Sequence, residues 1–227
     1  MTMLPLPGLE RLLEASRKYE FQIRTSPPAA CARSPGEPLL GRPFDPMLAA
    51  FYNRLGGLSF HLDLYIATRD GQMDELLLEN EGVQPYWPEP FRTLLVFGGQ
   101  EALAYRYATV PNMADAQGFQ PVVEVDPYED IYALPIASNV DRFFDAYTRY
   151  LEFIYETPEI RDDPDARPTF PRGVPEIIAA DRTLVGMLAE GRFDPLMFQP
   201  EIQTEETLEY LRGWVAKLRA ASQKAGE

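Results

Sequence analysis

Few residues of this chain have the type and spacing to do chemistry, and the first candidates are a pair of glycines. Gly98 and Gly99 follow four apolar residues in LLVFGGQEALAYRY, a setting in which backbone amides could cradle a phosphate. That chemistry needs a helix opening directly after the glycines, so that free N–H groups and the helix dipole meet the anion, usually with a Lys and a Ser or Thr alongside. Here Leu103, Tyr105 and Tyr107 alternate with Ala102, Ala104 and Arg106, which is the period of a strand. The glycines are therefore expected to make a hairpin turn or a bulge, and no nucleotide is expected.

The other candidates are equally sparse. His61 is the single histidine, so no two-histidine site can form, and neither an orienting partner nor a nucleophile is indicated for it. It reads as an ordinary surface or sheet-face side chain. Cys31 is also single, which excludes an intramolecular disulfide and cysteine-based metal sites. Ser138 precedes a helix but lacks the glycines of a nucleophile elbow, so its expected work is capping. DPYED gathers Asp126, Glu129 and Asp130, yet the alternating ligands, central glycine and late glutamate of a calcium loop are missing. No catalytic residue, metal or cofactor is assigned, and the chain is not expected to be an enzyme. The 35 acidic residues still offer carboxylate pairs of the glycosidase kind as a lesser reading.

Charge narrows the partners. The net charge is -14, and residues 121–165 hold twelve carboxylates against Arg142, Arg149 and Arg161. Phosphate contacts need clustered Lys and Arg, so direct nucleic-acid binding is not expected. A basic protein partner fits the same electrostatics, although an acidic surface also serves solubility alone. No apolar run approaches the length of a bilayer span and the opening residues carry no leader pattern, so the expected compartment is the cytoplasm.

The elements that must position any site can be read from period and punctuation. Leu9, Leu12 and Leu13 predict a short helix over residues 8–19, followed by an irregular proline-rich connection. In FDPMLAAFYNRLGG, Asp45 is the N-cap, Pro46 takes the first helical position and Gly56 is the expected stop. Residues 58–66 alternate as one half-buried strand, and DELLLENEG fits strand or helix. Two hairpins are expected, one through the Gly98–Gly99 pair and one in which residues 122–125 and 131–136 flank DPYED. Ser138 and Asp141 then form a capping box for a long helix over residues 139–156 whose apolar stripe packs across the sheet. After the acidic, proline-rich stretch 157–174 come two more helices, one from about Pro175 to Glu190 and one capped by Thr204.

These motifs, in this order, resemble the SUKH superfamily over about residues 45–156. FYNRLGG is similar to the family's helix-to-strand junction, FRTLLVFGGQEALAYRY to its apolar–Phe–Gly strand followed by a tyrosine-containing strand, PVVEVDP to its Pro-Val-Val strand, and IASNVDRFFDAYTRYL to its capped final helix. The resemblance implies an α+β fold, a mixed or antiparallel twisted sheet with helices packed on it, plus extra C-terminal helices. It brings no catalytic residues. Residues 1–156 are then the SUKH-like domain with an N-terminal helical extension, and 157–227 an acidic loop and helices packed on the same domain. The family is related to a yeast regulator of cell-wall synthesis and is rich in bacterial immunity proteins. The expected function is therefore binding and neutralising a cognate polymorphic toxin. A non-catalytic scaffolding module for envelope or signalling assemblies is the alternative. The expected docking residues are Glu124, Asp126, Tyr128, Glu129 and Asp130, where a tyrosine among carboxylates combines an anchor with electrostatic steering.

Overall fold

A computed structural model describes residues 4–28, 34, 36–60, 64–69, 74–100, 102–128 and 130–224. The chain adopts the expected α+β class, and its main sheet is antiparallel throughout. Across the sheet run β1 (Ile23–Ser26), β4 (Gly57–Phe60), β5 (Leu64–Ile66), β6 (Leu95–Gly99), β7 (Arg106–Thr109), β8 (Val122–Asp126) and β9 (Tyr132–Ala137). From β4 onward, spatial neighbours are also sequence neighbours, so the chain meanders and needs no long crossover. A separate small hairpin, β2 (Pro38–Leu39) with β3 (Arg42–Pro43), lies in the connection read as irregular.

The single strand expected over residues 58–66 is two. Leu58 pairs with Ile66 and Phe60 with Leu64, so the four apolar residues stay on one face even though the chain has reversed. Partners in register share a face, which is why the period-two pattern looked continuous. His61 lies outside the described residues, as does Cys31. The glycine pair sits inside β6 beside a bulge between Val96 and Gly98, and the chain continues into β7. Gly98 is required by close approach: a Cβ there would collide with the Tyr65 carbonyl. Where β5 has ended, Asn80 of α3 (Glu75–Val83) binds both the N–H (2.9 Å) and the C=O (2.7 Å) of Val96.

Helix α2 (Pro46–Tyr52) starts as expected, with Asp45 Oδ1 accepting from the Met47 and Leu48 amides. It ends before Gly56, however. That glycine belongs to the sheet edge, where its N–H donates to Ser26 and a Cβ would strike the Pro27 carbonyl. Helix α4 (Val140–Glu156) is capped by Asn139, whose Oδ1 accepts from Arg142, rather than by Ser138. Asp141 is likewise not half of a capping box. It accepts from the Gly8 and Leu9 amides and so caps α1 (Pro7–Lys18), which packs along α4.

After α5 (Pro158–Arg161), the helix expected from Pro175 to Glu190 is broken in two, α6 (Pro175–Ala179) and α7 (Arg182–Ala189). Asp181 caps the second through Leu184 and also accepts from the Ser138 amide. The apolar spacing runs through the break because both pieces face the core. A short α8 (Asp194–Met197) precedes α9 (Glu205–Lys224), which begins directly after the expected cap Thr204. Leu184, Leu211, Trp214 and Leu218 belong to the same buried cluster as Leu9, Phe51 and Phe143, so the segments before and after residue 157 share one core.

Candidate functional site

The site is built where stretch 157–174 returns to the sheet. That stretch reads as a surface loop, yet its last residues form a strap carrying two inward side chains. Gly173 makes the tight turn: its N–H donates to Thr169 at 2.7 Å, and a Cβ would press on the Pro168 ring. The turn sends Phe170 and Arg172 to different neighbours. Phe170 is buried against Tyr147 (ring centroids 5.2 Å) and Tyr150 (5.3 Å) of α4. Arg172 reaches the far end of β8.

Glu124 and Asp126 alternate with Val123 and Val125 on β8, which places both carboxylates on one face. Arg172 donates from Nε to Glu124 Oε1 (3.1 Å), from one terminal nitrogen to Asp126 Oδ2 (3.0 Å) and from the other to the Tyr105 hydroxyl (3.0 Å). Its guanidinium lies 4.1 Å from the Tyr105 ring centroid and 5.8 Å from that of Tyr132. Gln100 closes the second oxygen of Glu124 at 3.4 Å and also donates to the Tyr107 hydroxyl and the Phe170 carbonyl. Tyr132 donates to Asp126 at 2.9 Å.

Burial governs the electrostatics. Glu124 is 0% exposed, and desolvation pushes its carboxyl up to about 7 against the pull of Arg172. Burial opposes the charge on Arg172 too, but Glu124, Tyr132 and Tyr105 outweigh it and hold the guanidinium above its ordinary range. Burial also raises the Tyr132 phenol, with Arg172 opposing. Chemically, then, the inner end is a matched set in which each Arg172 nitrogen has an acceptor and Glu124 has no open face.

Outside that set lies a groove of about 1060 Å³ lined by Tyr105, Tyr128, Tyr132, Arg172, Glu206 and Tyr210 among others. Tyr128 stacks edge-on to Tyr105 (5.6 Å), and its hydroxyl accepts from the Ala104 amide. Tyr210 of α9 lies against Tyr132 (6.1 Å). Asp130 anchors the start of α9. It accepts from the Thr204 amide and hydroxyl and from the Thr207 hydroxyl at 2.6–2.8 Å, and these bonds lower its pKa.

The expected docking residues are thus divided by the structure. Tyr128 is exposed and lines the groove. Asp130 lines it while serving as a cap. Glu129 lies outside the described residues. Asp126 is buried and paired, and Glu124 is enclosed, so neither is free to meet a partner as expected. Both carboxylates do share one face of β8, but that face is covered by the strap. Sequence reasoning missed Arg172, Tyr105 and Tyr210. The available signal was TFPRG, where an aromatic residue and an arginine end an otherwise polar, acidic loop.

Among the described residues no group of three or more His, Cys, Asp or Glu is placed to hold a metal ion, and no helix is long and apolar enough to cross a membrane. Compared with family models, curated proteins and solved structures, the chain matches none.

Proposed function

We propose that the protein is a SUKH-type immunity protein that works in the cytoplasm by binding a cognate polymorphic toxin and blocking it through protein–protein contact. The observation that carries this reading is the groove. Its mouth presents Tyr128 and Tyr210, 54% and 40% exposed, beside carboxylates, in a chain of net charge -14. Exposed tyrosines supply anchors of the kind that dominate binding energy, and the surrounding negative potential draws in a basic partner and rejects nucleic acid. The order of motifs from residue 45 to 156 supports the family. The strap and α9, which lie outside that resemblance, supply Arg172 and Tyr210 and so make this groove particular to the chain.

The test is co-expression with a toxin encoded beside it. Restored growth and a stable one-to-one complex on gel filtration are expected, with an association rate that falls as salt rises. The absence of both complex and protection would overturn the reading. A complex formed instead with a component of an envelope or signalling assembly would move the assignment to a scaffolding module.

A further inference from the structure

The groove already shows what it accommodates, because its inner end holds a guanidinium that the protein supplies itself. Arg172 lies over Tyr105 and hydrogen-bonds to two carboxylates and a phenol. The outer end repeats the same chemistry without a cation. Tyr128 and Tyr210 turn ring surface to solvent, Asp130 and Glu206 line the wall beside them, and Glu206 is exposed with no ion pair among the described residues. Among the residues lining the groove, three carboxylates, Asp126, Asp130 and Glu206, stand against a single guanidinium, that of Arg172.

We infer that the outer groove is an arginine-binding subsite, in which a guanidinium from a protein partner lies on the exposed tyrosine surface of Tyr128 and Tyr210 with Glu206 and Asp130 as its counter-charges. The inference deepens the binding reading and rests on it, since the arginine is taken to come from the partner. Charge complementarity selects a cation over any anionic ligand. A neutral apolar side chain would cover the rings but shield the carboxylates from water without a partner. Arginine is favoured over lysine because its planar, weakly hydrated head stacks on an aromatic face while its edge donates to carboxylates, whereas an ammonium is a compact, strongly hydrated point charge.

The full chain can be titrated with the blocked tripeptide acetyl-Gly-Arg-Gly-amide and its lysine and citrulline counterparts, following tyrosine ring resonances by NMR. The arginine peptide should shift the Tyr128 and Tyr210 rings saturably. The lysine peptide should bind about threefold more weakly, and the neutral citrulline peptide should leave the rings unmoved. Tyr210→Leu and Glu206→Gln, each checked for an unchanged melting temperature, should each weaken arginine binding about twofold to fivefold. Rings that do not respond, an equal response to lysine, or full affinity in both variants would overturn the subsite. The toxin assay reports separately: protection without peptide binding removes the arginine subsite and leaves the immunity reading, while peptide binding without protection removes the immunity reading and leaves the subsite.

Discussion

Phe170 and Arg172 stand two residues apart on one strap, yet they enter regions held together in different ways. Phe170 joins an aromatic cluster under α4, where Phe143 lies 5.0 Å from Tyr107, 5.6 Å from Phe97 and 5.6 Å from Phe144 between ring centroids. Arg172 joins Glu124, Asp126 and Tyr105. The hydrophobic burial that holds this cluster is non-directional, and each buried side chain contributes about 1.5–3 kcal/mol by leaving water. The charged set stabilises only when every member is matched, because a lone buried charge costs more than a pair returns. One region therefore responds to lost volume and the other to lost pairing.

The largest expected effect lies in the aromatic region. Phe143→Ala should cost about 3–5 kcal/mol in chemical denaturation, the range for a large-to-small change in a core. Phe143→Leu should cost clearly less, since it keeps most of the volume. Equal losses for Ala and Leu would show that volume is not what this region depends on.

Arg172→Met should follow, at about 3 kcal/mol near neutral pH, although the replacement fills similar space. It leaves Glu124 and Asp126 buried without their cation. Adding Glu124→Gln should return part of the loss, with a coupling of about 1–3 kcal/mol in a double-mutant cycle. The same Gln combined with Phe143→Ala should be closer to additive. Additivity in both pairs would erase the distinction between the regions.

Dependence on pH sharpens the contrast. The Glu124 carboxyl is raised from 4.5 to about 7 by burial, so between those values the folded protein holds a proton that the unfolded chain has released. Stability drawn from Glu124 is thus fully present below pH 4.5 and is lost as pH rises towards 7. The difference in unfolding free energy between wild type and Glu124→Gln should therefore fall across that interval, by as much as about 3 kcal/mol. A difference that grows with pH would mean that Arg172, and not desolvation, sets the state of Glu124. The cost of Phe143→Ala should stay nearly flat over the same range.

The same division explains what the sequence made legible. Phe143, Phe144, Tyr147, Leu151 and Ile154 recur at helical spacing, so α4 and its buried face could be read directly, as could Asp45 at the start of α2 and the two valine-rich and isoleucine-rich arms of the last hairpin. Those features depend on neighbours within a few positions. Arg172 meets carboxylates on β8 more than forty residues earlier, and no local period reports such a pairing. Asp141 shows the same limit on a smaller scale. Three residues after Ser138 it looks like half of a capping box, but its partners are Gly8 and Leu9, at the other end of the chain.

That misread aspartate gives the smallest and most local prediction. Asp141 is the aromatic region's own polar contact: Oδ1 accepts from the Gly8 amide at 2.8 Å and from Leu9 at 3.3 Å, which otherwise are unpaired donors at the first turn of α1. Leu6, at the N-cap position, has no side chain to serve them. Asp141→Ala should therefore cost about 1 kcal/mol, the usual loss of an N-cap, and Asp141→Asn should cost less because it keeps an acceptor oxygen. Hydrogen exchange should quicken at Gly8 and Leu9 in the alanine variant while the amides of β8 keep their protection. Faster exchange on β8 as well would mean that α1 and the charged groove are coupled through α4, and that the two regions do not respond separately.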